Sequence, residues 1–345
     1  MRIAVDCRLI NKTQNTGISR YTEFLINYYI NRYSCENIFL ISNDKSFKYF
    51  ECNVVYTKLK PFNILHFLQF STYVKKLNVD LLHVPFYSAL FCKNPNIKII
   101  VTVHDLMYRF VPNFFGRNEK LNSLKIKYFD FIVGKSLDSA DTIISVSETT
   151  MNDIWDIFGL KSIHITENSE IDYKEDLSIL EKFKLKNKKF YFYCGNSRPH
   201  KNINFIIEFF ENNPHLPVLV LAGKGHKDGK NVISTGIVSD EHLRVLYKSA
   251  IAFIFPSKYE GFGLPIIESL RLGTFVIASK ISAFLEFNSS NIFFFELDNE
   301  KEFLNAVNLT LSNSFVDNTK FFEKFEKNNI YKSYDFVIKN LFNQN

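Results

Sequence analysis

Short apolar runs alternate with amphipathic stretches along most of the chain. In the second half, residues 251–255 form an apolar run of buried-strand type, and residues 274–278 form another. Between them, Pro265 suits the first position of a helix, and apolar residues then recur at helical spacing up to Gly273, which suits the helix end. This stretch therefore predicts a strand, a loop, a helix and a further strand.

The same alternation fills both halves of the sequence and predicts two doubly wound α/β domains. The predicted strands are 2–6, 38–42, 79–84, 97–103, 142–146 and 163–165 in the first half, and 190–194, 216–222, 232–235, 251–255, 274–278 and 292–295 in the second. Residues 166–188 are polar and charged, so the interdomain connection is expected there. The predicted domains are residues 1–168 and 185–330. Amphipathic helices are expected at 300–311, 319–327 and 331–342.

Composition narrows the class of protein only slightly. A length of 345 residues suggests about two domains. The five cysteines form no CxxC pair, which argues against a zinc site or a disulfide framework and suggests a cytoplasmic protein. No signal peptide and no apolar stretch long enough to span a membrane is expected. The formal charge of +6 is mild, and no basic tail or motif supports nucleic-acid binding.

The predicted loop before Pro265 is Glu260-Gly261-Phe262-Gly263-Leu264. Its glycines let the backbone approach a ligand closely, and the helix start suits an anion such as phosphate. Glu260 in the loop and Glu268, expected in the first helical turn, offer carboxylates that accept hydrogen bonds from sugar and ribose hydroxyls. The alternative is that Glu260 is a solvated loop residue and Glu268 complements the helix dipole. The spacing alone leaves both interpretations open.

A second glycine-led turn follows the strand at 190–194. Arg198 and Lys201 lie three residues apart in it, directly before an apolar helix. Two cations beside a helix start favour a diphosphate site, although two solvated side chains would fit equally well without further context. His200 is expected on the surface of this loop.

Two positions in the first half are also candidates. His104 ends the strand at 97–103, and ligands of open α/β sheets gather at the carboxyl ends of strands. A histidine satisfied by backbone would occupy the same position. Gly17 lies in a polar loop, residues 11–19, between the first strand and a predicted helix. On its own this pattern favours an ordinary βα turn over a phosphate-binding loop.

The string Pro-Ser-x-x-Glu-Gly-Phe-Gly-Leu-Pro, with seven residues between Glu260 and Glu268, resembles the signature of family 4 glycosyltransferases. These are retaining enzymes with the GT-B fold, two Rossmann-like domains facing across a cleft. The Gly…Arg-x-x-Lys-Asn turn at 195–202 and the His104-Asp105 pair also resemble family motifs. The Gly-Ile-Ser-Arg-Tyr string at Gly17 is similar to a Gly-Ile-Gly-Arg-Tyr loop found in many mannosyltransferase members, with Ser19 replacing the second glycine.

The resemblance implies a role for each matching residue. Arg198 and Lys201 would neutralise the donor diphosphate in place of a metal, so no metal and no cofactor is expected. Glu260 would hold the sugar hydroxyls and Glu268 the ribose. His104 would contact the donor sugar, and Asp105 would orient His104 or cap the next turn. The remaining residues implied to bind the donor are Gly17, Gly261, Phe262, Gly263, Leu264 and Val238. The terminal helix would cross back onto the first domain.

The expected function is transfer of a hexose, with mannose favoured and GDP-mannose as the donor, to a glycan acceptor. A lipid-linked acceptor in bacterial surface polysaccharide assembly, such as O-antigen, capsule or lipopolysaccharide, fits the family. The alternatives are a nucleotide-sugar epimerase of the same fold and a non-catalytic protein that binds sugar nucleotides.

Residues 117–135 contain five basic and two acidic residues interleaved with apolar ones. This pattern suits either a helix docked peripherally on the cytoplasmic face of an anionic inner membrane or a packed helix with a solvated lysine face. The sequence favours the packed helix.

Overall fold

Each half of the chain folds around its own parallel β-sheet. The computed structural model describes residues 1–10, 17–49, 51–91, 94–169 and 174–343. The backbone divides into a first unit, residues 1–168 with 327–345, and a second unit, residues 169–326.

The first unit contains a seven-stranded sheet in the order β3-β2-β1-β4-β5-β6-β7, with every pairing parallel. Its strands are β1 (Ile3–Asp6), β2 (Ile38–Ser42), β3 (Asn53–Tyr56), β4 (Leu81–Val84), β5 (Lys98–Val103), β6 (Thr142–Ser145) and β7 (Ile163–His164). Its first five helices are α1 (Gly17–Tyr33), α2 (Ile64–Lys75), α3 (Met107–Phe110), α4 (Glu119–Asp138) and α5 (Glu148–Phe158). Because helices cover the sheet, strands such as β1 and β4 are buried along their whole length.

The second unit contains a six-stranded parallel sheet in the order β10-β9-β8-β11-β12-β13. Its strands are β8 (Phe190–Cys194), β9 (Val218–Ala222), β10 (Val232–Gly236), β11 (Ala252–Phe255), β12 (Phe275–Ser279) and β13 (Ile292–Phe295). Its helices are α6 (Ser178–Lys182), α7 (Ile203–Asn212), α8 (Asp240–Ser249), α9 (Leu264–Arg271), α10 (Ser282–Leu285), α11 (Glu300–Ser312) and α12 (Thr319–Phe322).

The last helix, α13 (Lys327–Asn343), belongs to the first unit and packs against α1. The hydroxyl groups of Tyr21 and Tyr334 lie 2.5 Å apart, and Tyr28 donates to Asp335 at 2.9 Å. Arg32 adds two hydrogen bonds to the same carboxylate, at 3.0 and 2.9 Å. These contacts join chain segments about three hundred residues apart.

Strand order reverses once in each sheet, between β1 and β4 in the first unit and between β8 and β11 in the second. The crevice outside the carboxyl ends of the strands at such a switch point is where open α/β sheets bind ligands. The loops that follow β8 and β11, and those that follow β1 and β5, are therefore candidates for ligand binding.

Some predicted boundaries are wrong. The loop expected at 11–19 ends earlier, because α1 begins at Gly17; residues 11–16 lie outside the described residues. The helix expected at 319–327 is interrupted, since α12 ends at Phe322 and a 3-10 turn follows at Glu323–Phe325. The short edge strand β3 and the helix α6, which lies inside the expected interdomain connection, were not predicted.

Candidate active site

The strongest candidate site lies where the loops after β8 and β11 meet at the switch point of the second sheet. The Lys201 Nζ donates a 2.6 Å hydrogen bond to Glu260 Oε1, and the side chains are only 17% and 13% exposed. The Lys201 ammonium also lies 5.3 Å from the centre of the Phe255 ring, at the end of β11. Low exposure reduces screening by water, so the two opposite charges hold each other firmly.

Backbone contacts fix the relative position of these two loops. The Lys258 N–H donates to the carbonyl of His200 at 2.7 Å. His200 itself is buried, with 5% of its surface exposed, so the prediction of a surface position is wrong. Burial, followed by the charge of Lys201, lowers the pKa of His200 to about 4. His200 therefore serves as a neutral packing group beneath the turn that carries Lys201.

The loop after β9 packs closely on the loop after β8. Gly223 has φ +128°, and a Cβ at this position would lie 1.9 Å from the carbonyl oxygen of Gly195. The His226 Nε2 donates to the same carbonyl at 2.8 Å. Only glycine permits this backbone approach, which holds the turn after β8 in place.

Arg198 lies on the same turn but has a different environment from Lys201. It precedes the 3-10 turn Pro199–Lys201 and is exposed. Its N–H donates to the Asn196 side chain at 3.1 Å, which fixes the backbone of this exposed residue. The structure thus supplies one cation held by a carboxylate and one exposed cation three residues earlier.

The loop after β11 leads directly into α9. Gly261, Phe262 and Gly263 are buried, and Leu264 is the first helical residue. Gly263 occupies the cap position and has no side chain with which to cap the first turn. The first-turn N–H groups and the positive end of the helix dipole thus remain suited to an anion.

Two other donor residues expected in this unit lie outside the loops that follow β8 and β11. Glu268 is the fifth residue of α9 and is 3% exposed. It therefore lies in the second helical turn, and the prediction of the first turn is wrong. Val238 is half-buried in the connection between β10 and α8. Because β10 is an edge strand, Val238 lies at the far side of the sheet from the switch point.

In the first unit, His104 follows β5 and is held from both ring nitrogens. The Nδ1 lies 2.7 Å from Glu167 Oε1, and the Nε2 lies 3.1 Å from the carbonyl oxygen of Pro85. A carbonyl only accepts, so Nε2 carries a hydrogen. The Nδ1–carboxylate contact then requires a second proton, on either the imidazole or the carboxyl group.

Sequence reasoning missed Glu167 as the partner of His104. Asp105 instead accepts from the Met107 N–H at 2.9 Å and caps the following turn, one of the two roles expected of it. Glu167 is buried and follows β7, at the same carboxyl edge of the sheet as His104. Its position just beyond a predicted strand was the signal that could have identified it.

Gly17 is the first residue of α1. An added Cβ would meet no heavy atom of the described residues within 4 Å. Tyr21, one turn later, places its ring edge-on to His104 with centroids 4.6 Å apart. The beginning of α1 and the histidine after β5 are therefore close to each other within the first unit.

Two family models match the chain. Residues 17–169 match the model described as Glycosyltransferase Family 4, and residues 177–330 match the one described as Glycosyl transferases group 1. The chain belongs to glycosyltransferase family 4, and its relatives include mannosyltransferases.

Three known proteins illustrate the similarity. The O-antigen chain mannosyltransferase B of Escherichia coli is 27% identical over 215 residues, covering 55% of this chain and 55% of that protein. The O-antigen chain mannosyltransferase RfbU of Salmonella typhimurium is 27% identical over 226 residues, covering 60% of this chain and 59% of that protein. The matches thus span little more than half the length of these relatives.

The structure of sucrose-phosphate synthase from Thermosynechococcus elongatus superposes with a TM-score of 0.78 at 16% identity, covering 100% of both chains. The fold is GT-B, with two Rossmann-like domains.

Proposed function

We propose that this protein is a glycosyltransferase that moves a hexose from a nucleotide diphosphate sugar to a glycan acceptor. The observation that carries the proposal is the Lys201–Glu260 ion pair beside the start of α9, with Arg198 on the same turn. Cations and a helix start suit a diphosphate, and a carboxylate suits sugar hydroxyls. Family membership supports the same chemistry.

The ion pair is compatible with donor binding. An ammonium has three hydrogens, and the bond to Glu260 uses one of them. Lys201 therefore has hydrogens left for phosphate oxygens while it keeps Glu260 in place. A carboxylate accepts several hydrogen bonds, so Glu260 retains capacity for the hydroxyl groups of the sugar.

In the proposed reaction, the bond between sugar C1 and the phosphate oxygen breaks as the acceptor oxygen bonds to C1 on the same face. The acceptor's proton passes to the departing phosphate oxygen, and configuration is retained. Arg198, Lys201 and the N–H groups of α9 stabilise the charge that grows on the leaving diphosphate. In this scheme no metal is required, and full activity in excess chelator tests that part of the proposal.

We further assign Glu268 to the ribose hydroxyls, Val238 to the border of the base, and Gly17 and His104 to the donor. Mannose is the favoured sugar and GDP-mannose the favoured donor, since two relatives are named as O-antigen mannosyltransferases. A lipid-linked oligosaccharide in O-antigen assembly is the proposed acceptor.

Thermal unfolding in the presence of nucleotide diphosphate sugars tests the donor, because a ligand that binds only the folded protein raises its Tm. We expect GDP-mannose to raise the Tm more than UDP-glucose or GDP alone. Sugar transfer is then measured with and without acceptor. Conversion of the donor sugar in the absence of any acceptor would instead identify an epimerase.

A further inference from the structure

A pocket of about 450 Å³ opens in the second unit, apart from the loops that follow β8 and β11. Leu177, Leu180 and Val245 form the apolar part of its wall, and Lys188 lines it from the turn before β8. Because β8 runs parallel to its neighbours β9 and β11, this turn is at the opposite edge of the sheet from the candidate active site. The proposed function therefore leaves this pocket without a role.

The Lys188 side chain ends in hydrogen bonds to two neutral acceptors. Its Nζ donates to the carbonyl of Ala250 at 2.7 Å and to Thr274 Oγ1 at 3.1 Å. Thr274 gives its own hydrogen to the Tyr247 carbonyl at 2.8 Å, so its oxygen accepts from the lysine. A neutral amine has two hydrogens and one lone pair. It can make both bonds and still offer the lone pair to an electrophile.

The acid that lines the same pocket is paired with other cations. Glu175 accepts from Lys248 at 2.8 and 3.1 Å and from Arg244 at 3.3 Å. Lys188 as a whole is exposed, so a reagent can reach it, yet its hydrogen-bonded end is partly buried. Burial lowers the pKa of Lys188 to about 8. Partial desolvation of this kind makes a lysine nucleophilic near neutral pH.

The surroundings of Lys188 are strongly basic. Residues 182–189 contain five lysines and no acidic residue. Lys248 adds a further cation at the pocket wall. Clustered positive charge raises the local concentration of anions. An electrophile that carries negative charge is therefore favoured over a neutral one.

We propose that Lys188 is a nucleophile that small acyl phosphates acylate in this pocket. The Nζ lone pair attacks the carbonyl carbon of the acyl group, and the bond between that carbon and the phosphate oxygen breaks. Inorganic phosphate leaves with the electron pair and takes up the proton that the nitrogen loses. The product is an N-acyl lysine. This site is separate from the proposed donor site and does not rest on the proposed reaction.

Acetylation of the full chain by acetyl phosphate at pH 8 tests the proposal. Cleavage after glutamate releases the peptide 182–208, in which mass spectrometry compares Lys188 with its exposed neighbours Lys186 and Lys189. At this pH about half of Lys188 is neutral, against roughly 0.4% of a lysine in an unfolded chain. Its lower basicity offsets part of this advantage, so we expect Lys188 to react about tenfold faster than either neighbour. In urea the pocket is lost, and the preference for Lys188 should disappear.

A Lys248→Gln variant tests the preference for an anionic reagent. Lys188 acetylation is measured with acetyl phosphate and with the uncharged N-hydroxysuccinimide ester of acetic acid, and the ratio of the two rates cancels any change in the reactivity of Lys188 itself. Loss of the cation at the pocket wall should lower this ratio about threefold. Lys301→Gln, an exposed cation on α11, is the matched control and should keep the wild-type ratio. Lys248 is 54% exposed, so its variant should fold, and circular dichroism verifies this.

Reaction of Lys188 at the same rate as Lys186 and Lys189 in the folded chain overturns the proposal. A preference for Lys188 that persists in urea also overturns it, because the pocket would then not be its cause. A selective Lys188 whose rate ratio is equal in Lys248→Gln and the wild-type protein would overturn the assignment to acyl phosphates.

Discussion

The Lys201 Nζ donates to Glu260 Oε1 at 2.6 Å, although the two residues are 59 positions apart in the chain. The parallel sheet causes this meeting, because β8 and β11 are neighbours at the switch point and their carboxyl ends emerge side by side. Two motifs that are separate in sequence thus contribute one residue each to a single ion pair. The proposed donor site is centred on this pair.

Replacing Arg198 by Gln should reduce sugar transfer by about 10²–10³-fold, the usual effect of removing one charge-stabilising donor. Its side chain is exposed, so the free energy of unfolding should be unchanged. Steady-state kinetics and urea unfolding measure the two quantities. Lys301→Gln, an exposed cation on α11, is the control and should affect neither. A transfer rate for Arg198→Gln within twofold of the wild-type rate would remove Arg198 from the site.

Two single substitutions, each at a different glycine, distinguish an effect on ligand binding from an effect on the stability of the fold. Gly17→Ala should leave the Tm unchanged or slightly higher, because the added Cβ meets no heavy atom of the described residues within 4 Å. It should lower donor affinity, because we assign Gly17 to the donor. Gly223→Ala should instead destabilise the protein by at least about 1–3 kcal/mol, because its Cβ would collide with the Gly195 carbonyl. Calorimetry and donor titration distinguish the two. Unchanged donor affinity in Gly17→Ala would argue against the assignment of Gly17.

Removal of the Glu167 carboxylate should impair catalysis through His104. We expect Glu167→Ala to lower kcat more than Glu167→Gln does, because glutamine keeps a hydrogen-bonding group 2.7 Å from the ring where the carboxylate now lies. The order of the two kcat values is the readout, because rescue by the hydrogen-bonding glutamine indicates a positioning role. A purely structural role would lower the Tm of both variants while their kcat stayed the same.

Two buried histidines should make the first unit sensitive to mild acid. Burial lowers the pKa of His83 to about 3 and that of His66 to about 4. Both are therefore neutral in the folded protein at pH values where an unfolded histidine, with a pKa near 6.5, binds a proton. The free energy of unfolding should fall as the pH drops from about 6.5 towards 4, by up to about 1.4 kcal/mol per pH unit for each histidine.

Urea unfolding at pH 7.5, 6.5 and 5.5 measures this dependence. His83→Gln should show a flatter slope over this range, and His164→Gln should show the wild-type slope because His164 is exposed. An identical slope in wild type and His83→Gln would contradict the prediction.

The alternating apolar runs predicted most of both sheets, because strands buried on both faces have a continuous apolar sequence. Strands β2, β8 and β13 have the predicted bounds. Strand β3 was not predicted because it is a four-residue edge strand with exposed ends. It pairs in parallel with β2.

The candidate site was only partly predictable. The positions of Arg198, Lys201 and Glu260 follow from motif and strand order. The burial of His200 and the partnership of Glu167 with His104 depend on side-chain packing between distant segments. The place of Glu167 just beyond a predicted strand indicated the correct edge of the sheet, but neither its pairing with His104 nor the burial of His200 follows from local sequence patterns, and for this reason both were missed.

Isothermal titration of GDP-mannose into the wild-type protein and an Arg198→Gln, Lys201→Gln double variant measures whether these two cations hold the donor diphosphate. We predict that the wild-type protein binds the donor and that the double variant, folded by circular dichroism, binds about 100-fold more weakly. Wild-type affinity in the double variant would show that the diphosphate is held elsewhere.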